Sequence, residues 1–191
     1  MKVFVYHLQP DSREQFTALY ELCSDYAYLC DDIARVFKGL RDKNGGEWQD
    51  RETFNKEVYK MSVFKEPVHE DEPDSPRRIP SRYLALAMTR VYADLPSEPQ
   101  KQYSSRDWVN LDGDVCTHKC NKLFKMPSNE LTIKMFGTGA GVREPFAITD
   151  ITESTTGEYD YLNLNASQAA LVHRDAQLWR VVVGVPEDTK K

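Results

Sequence analysis

Asp112, Asp114, Cys116, His118 and Cys120 take every second position of a single stretch. On an extended strand all five side chains would point the same way. Carboxylate, thiolate and imidazole are the groups that bind zinc. The chemistry such a set would supply is metal-assisted hydrolysis or group transfer, with Cys116, His118 and Cys120 as the candidate ligands. Geometry limits the idea. Residues four apart on a strand lie about 13 Å apart. Two thiolates on one zinc, each with a bond of about 2.3 Å, must come within roughly 4 Å of each other. A straight strand therefore cannot bring both Cys116 and Cys120 to one ion, although a turn can, and Cys116 with His118 can act as a pair. A disulfide between the two cysteines meets the same objection, because its Cα atoms must lie less than about 7 Å apart. No third or fourth ligand stands nearby, since Cys23 and Cys30 belong to an apolar helical pattern.

Other motif-like stretches are incomplete. Cysteine-nucleophile chemistry has only His7, His69, His118 and His173 to draw on. Gly137, Gly139 and Gly141 make a glycine-rich turn, and Lys134-Met135-Phe136-Gly137-Thr138-Gly139 is similar to the coenzyme A loop of acetyltransferases. That loop must open a helix whose amides meet the phosphates. Here Val142-Arg143-Glu144-Pro145 and another strand pattern follow instead. His173-Arg174-Asp175 matches the kinase catalytic tripeptide, but Arg180 stands where the downstream Asn belongs. A strand histidine, His7, is too little to indicate an ADP-ribosyl-transfer site. No complete catalytic signature is present.

The pattern of elements is clearer. Lys2 to Leu8 reads as a first strand. Asp11 or Ser12 then caps a long helix reaching Lys38, and Gly39 suits its C-terminal cap. A second helix is expected from Asp50 to about Lys65, with Phe54, Val58 and Met61 inward. Ser81 caps a third, with Leu84, Ala87, Met88, Val91 and Leu95 on one face and Pro96 closing it. Between them, residues 67–80 hold four prolines and the acidic cluster Glu70, Asp71, Glu72 and Asp74, which oppose regular structure. From Tyr103 onward, strands are expected at 108–111, 115–120, 131–136, 146–151, 159–164 and 179–185. Ala166 to His173 reads as a short helix. One strand, three helices and then a run of strands imply an α+β fold. The helices would pack on one side of a mostly antiparallel C-terminal sheet, with the first strand inserted into it. A single domain over 1–191 is expected, helix-rich over 1–95 and strand-rich over 103–186, with the Pro-rich acidic segment as a loop.

Composition sets the class of partner. The chain has 191 residues and a net charge of -5, from 25 Lys plus Arg against 30 Asp plus Glu. No basic block exists to neutralise several phosphates, so direct nucleic-acid binding is not expected. No apolar run approaches the roughly 18 residues that cross a bilayer. The N-terminus is too short and too charged for a secretory signal. Four cysteines, two of them on an apolar helix face, fit a reducing compartment, and the cytoplasm is expected.

The long helix has the most distinctive surface. Phe16, Leu19, Tyr20, Cys23, Tyr26, Ala27, Cys30, Ile33, Ala34 and Phe37 recur at helical spacing. Opposite them, Glu14, Glu21, Asp25 and Asp32 fall within about 20° of one line at 100° per residue. Tyr28 lies about 40° from that line. An aromatic among carboxylates is the kind of anchor that interfaces use, with the charges steering a basic partner. The sequence therefore favours a small acidic, non-enzymatic protein that binds a larger, partly basic protein or nucleoprotein complex and blocks or modulates it. Phage and mobile-element inhibitors of host defence are often built this way. Its expected contacts are Glu14, Glu21, Asp25, Tyr28 and Asp32, followed by Glu70, Asp71 and Glu72. The alternative is a small metal-assisted hydrolase or transferase using Asp112 to Cys120.

Overall fold

The computed structural model describes residues 1–60, 79, 81–112, 124–125, 130–136, 143–165, 168–174, 178–185 and 187. The chain opens with β1 (Lys2–Gln9), whose residues alternate between two apolar environments. Tyr6 and Leu8 face the helices, while Val5 faces the opposite side. Ser12 then caps α1 (Arg13–Lys43) by accepting the Gln15 N–H at 3.2 Å. At 31 residues, α1 is about 46 Å long.

α1 runs through Gly39 and ends at Asn44, not at the glycine expected to cap it. The reason is the next glycine pair. Gly45 and Gly46 take φ of 67° and 93°, which L side chains resist. That turn lets the Asn44 and Gly46 amides reach back to the Leu40 and Arg41 carbonyls. Asp50 caps α2 (Arg51–Val58), with its carboxylate accepting the Thr53 N–H at 3.0 Å. The expected continuation to Lys65 falls partly outside the described residues, but α2 itself stops at Val58. α3 spans Ser81–Asp94.

The strands are β2 (Val109–Asp112), β3 (Phe124–Lys125), β4 (Glu130–Lys134), β5 (Arg143–Ser154), β6 (Gln168–Arg174) and β7 (Leu178–Val185). Among the described residues they form one seven-stranded sheet in the order β2-β6-β7-β1-β5-β4-β3, with every pairing antiparallel. The first strand is thus inserted at the centre, and the fold is α+β as the element order implies.

Two expectations are corrected. Residues 168–174 form β6 and not a helix, because β6 sits between β2 and β7 with both faces covered. Ala169 and Leu171 enter the helix-side core, and Ala170 and Val172 the other one. Tertiary pairing overrides the helix preference of Ala-Ala-Leu. Residues 157–162 form a 3₁₀ helix where a strand was expected. Its Tyr159 and Leu162, three apart, share one face in that geometry. They cover Val5, Ala170, Val172 and Val182 on the side of the sheet away from the helices. Asn163, at φ 51°, ends the turn.

The main core lies between the helices and the other sheet face. Phe37 of α1 packs against Trp48, Phe54 of α2 and Tyr92 of α3, with ring centroids 4.5–5.3 Å apart. Tyr20 meets the Trp179 ring edge-on at 5.2 Å, which docks α1 onto β7. The Tyr83 hydroxyl donates to the Lys134 carbonyl at 2.7 Å and ties α3 to β4. Residues of the helix-rich and strand-rich halves share this one apolar cluster.

Candidate functional site

α1 is buried on almost every side, and that decides which of its residues meet solvent. Leu22 and Leu29, which lie outside the main apolar arc of the sequence pattern, are 1% and 3% exposed. The helix is wedged between the sheet on one flank and α3 on the other, so both flanks are covered. What remains open is a narrow stripe through Thr17, Tyr28 and Arg35, which lie within about 20° of each other at 100° per residue. Tyr28 is 72% exposed, at the midpoint of the helix. Every other large apolar side chain of α1 is buried or half-buried.

The carboxylates stand to one side of this stripe. Glu14 is exposed near the N-terminus of the helix, where its charge suits the helix dipole. Asp32 is half-exposed and accepts from Arg35 Nη1 at 3.0 Å. Glu21 and Asp25 are half-buried, and each already engages another group of the folded chain. Both line a cleft between α1 and the β4–β5 end of the sheet, with Ala18, Leu22, Met135, Phe136 and Glu144. Its volume is about 130 Å³. Small-molecule sites usually occupy roughly 300–1,000 Å³. The column of the sequence pattern is therefore split: Glu14, Tyr28 and Asp32 face outward, and Glu21 and Asp25 border the cleft. Glu144 carries no sequence signal that would place it there. Arg35 does, being one helical turn beyond Asp32.

Glu70, Asp71 and Glu72 lie outside the described residues, as do Asp114, Cys116, His118 and Cys120. Asp112 is the last residue of β2. Among the described residues, no group of three His, Cys, Asp or Glu side chains is placed to hold a metal ion. Cys23 and Cys30 are free, buried thiols, and burial pushes both up to about 12. A thiol held protonated in this way is a poor nucleophile and a poor metal ligand. His7 accepts or donates a hydrogen bond at Thr152 Oγ1, 3.1 Å away. His173 is paired with the Ser105 carbonyl at 2.9 Å and stacks on Trp179.

A buried polar centre behind α1 escaped the sequence pattern. Arg90 of α3 is 7% exposed. Its guanidinium lies 3.8 Å from the centroid of the Trp108 ring and donates to the Trp108 carbonyl at 2.6 Å. Tyr103 and Tyr26 flank it at 5.2 and 5.9 Å. Asp94 accepts from the Tyr103 hydroxyl at 3.0 Å and from Lys101 at 3.1 Å. The Tyr26 hydroxyl donates to Asn110 Oδ1 at 2.7 Å. Burial raises both phenols above their ordinary range. This network joins α1, α3 and β2 behind the exposed stripe of α1, and within it Arg90 Nε is buried without a hydrogen-bond partner among the described residues.

No protein-family model matches the chain, and no curated protein matches it. Among the described residues, no helix is long and apolar enough to cross a membrane.

Proposed function

We propose that this chain is a non-enzymatic interaction protein of the cytoplasm, whose docking surface is the outward stripe of α1. Its partner is a larger, partly basic protein or nucleoprotein complex, which it blocks or modulates in the manner of phage and mobile-element inhibitors of host defence. One observation carries the reading: Tyr28 is 72% exposed in the middle of a helix that buries its other large apolar side chains, with Glu14 and Asp32 on the same outer side. An aromatic left in water contributes nothing to the fold, whereas on an interface it supplies area at little entropic cost. The neighbouring carboxylates favour encounter with a positive surface and set its register.

The test is capture of the partner from the native host by the intact chain and by two variants, Tyr28→Ala and the pair Glu14→Lys with Asp32→Lys. Interface anchors of this type cost at least about 2 kcal/mol when truncated, a loss of roughly 30-fold in affinity. Each variant is expected to lose the captured partner; Tyr28→Ala keeps its unfolding midpoint, and the lysine pair loses only the helix-dipole interaction of Glu14, about 0.3–1 kcal/mol, since the Asp32–Arg35 pair is a surface pair of little worth. Equal recovery by the parent and both variants refutes the proposal. Glu21 and Asp25 are poorer choices, because reversing them also disturbs the cleft they line.

A further inference from the structure

Among the described residues, the outer half of β5 has a strand on one side only. β4 pairs with β5 from Arg143 to Ala147, and β1 pairs with it from Ala147 to Ser154. Among the described residues, no strand pairs with the side of β5 away from β1 beyond Ala147. The open edge runs over Ile148–Ser154, roughly 20 Å of extended chain. Thr149, Asp150, Ile151, Thr152 and Glu153 are all exposed, on both faces of the strand, with Ile151 at 49%.

The heading of the backbone is set by one contact. The Ile151 N–H donates to Asp150 Oδ1 at 2.9 Å and so faces away from β1. Backbone groups alternate along an antiparallel strand, so the Glu153 N–H has the same heading. Such an edge is a template for one more strand. Its own features decide which strand. The pairing register shifts between His7 and Leu8, and Thr149 is the extra residue, a bulge that disturbs simple edge-to-edge pairing. Asp150 and Glu153 give the edge negative charge, with Lys2 at 3.6 Å from Glu153 as the nearby cation.

We propose that the open edge of β5 accepts an extended, lysine- or arginine-bearing segment of a partner protein by strand addition. A carbonyl of the incoming strand replaces Asp150 at the Ile151 N–H, and a cationic side chain of the same strand takes up the displaced carboxylate. A neutral strand offers no such replacement and leaves Asp150 either competing or unpaired. A second copy of this chain fits poorly, because β5 paired with itself sets Asp150 or Glu153 opposite or diagonal to a carboxylate of its twin. This surface lies on a different element from Tyr28, and its readout is confined to β5, so it stands or falls apart from the α1 reading.

The probes are two capped heptapeptides, one alternating lysine with valine and one alternating glutamate with valine. The readout is amide exchange in the full chain. The lysine peptide is expected to slow exchange at Ile151 and Glu153 severalfold, and the glutamate peptide to leave it unchanged. Ile151→Pro removes the outward N–H without touching the ladder to β1, a place where an edge strand tolerates proline. It is expected to keep the circular dichroism of the parent and to lose the response. The pair Asp150→Lys with Glu153→Lys, which alters only exposed side chains, is expected to reverse the preference towards the glutamate peptide. Equal response to both peptides, a folded Ile151→Pro chain that still responds, or an unreversed preference in the lysine variant would each overturn the proposal. So would a concentration-dependent dimer that Ile151→Pro abolishes.

Discussion

Replacing Arg90 tests whether the buried polar centre, and not apolar packing alone, holds α1 to α3 and β2. Its bond to the Trp108 carbonyl, at 2.6 Å, involves a charged donor; such bonds contribute about 1.5–3 kcal/mol. A guanidinium 3.8 Å from an indole centroid and shielded from water adds about 2 kcal/mol. Arg90 Nε also lies 3.7 Å from Asp94 Oδ2, but Asp94 keeps Lys101 and the Tyr103 hydroxyl when Arg90 is removed. It is therefore not stranded, and the full penalty for orphaning a buried charge does not apply. Arg90→Ala is expected to cost about 4 kcal/mol, a large share of the 5–15 kcal/mol typical of a domain. For a chain of this size that corresponds to a fall in Tm of about 8–16 °C. Arg90→Lys keeps the charge but not the planar fork, so about half of the loss is expected. Urea unfolding followed by tryptophan fluorescence measures all three chains, and Trp108 reports on the site directly. A loss below about 1 kcal/mol for Arg90→Ala would refute the argument. A lysine variant as stable as the parent would show that charge alone suffices and that the stacking is incidental.

Two further outcomes follow from the packing. A Cβ on Gly184 would lie 2.5 Å from the Asn165 carbonyl oxygen and 2.9 Å from the Met1 sulfur. Because the carbonyl belongs to backbone, Gly184→Ala is expected to cost about 1–3 kcal/mol in the same urea assay, and an unchanged midpoint would contradict the close approach. The Cys23 and Cys30 thiols are raised from 9.0 to about 12 by burial. Below 9.0 both thiols are protonated in the folded and unfolded chains alike. Above it the unfolded chain ionises first, so stability declines as pH rises from 9 towards 12. Each thiol contributes up to about 1.4 kcal/mol per pH unit over that window. Tyr26 and Tyr103 act in the same direction from about pH 10, where the unfolded phenols begin to ionise. A urea midpoint that holds steady from pH 8.5 to 11 would show that these thiols are not buried.

The apolar periodicity of α1 was legible because a helix facing a core must repeat at 3.6 residues, and Leu19, Cys23, Tyr26, Cys30, Ile33 and Phe37 do so. The caps at Ser12 and Asp50 were legible for a similar reason, since each satisfies amides of its own first turn. Gly39 misled because a glycine ends a helix only when the following backbone turns, and it is Gly45 and Gly46 that turn. Ala169, Ala170 and Leu171 read as helix because propensity is local. Their strand conformation depends on β2, which lies far earlier in the chain, as well as on the neighbouring β7. Tyr159 and Leu162 are three apart, a spacing that a 3₁₀ turn puts on one face and a strand on two, and the sheet face that both cover selects the former.

The candidate site divides along the same line. Local order, amphipathic register, the α+β class and the acidic balance were determined by the chain's own pattern, because each depends on neighbours within a few residues or on composition. Which part of α1 stays wet was decided by the tertiary structure. Packing buries Leu22 and Leu29, the cleft takes Glu21 and Asp25, and the solvent line shifts onto Tyr28. The edge that β5 leaves open among the described residues was likewise invisible beforehand, because it depends on where the neighbouring strands stop. A helical wheel gives the directions of side chains; burial depends on what packs against them.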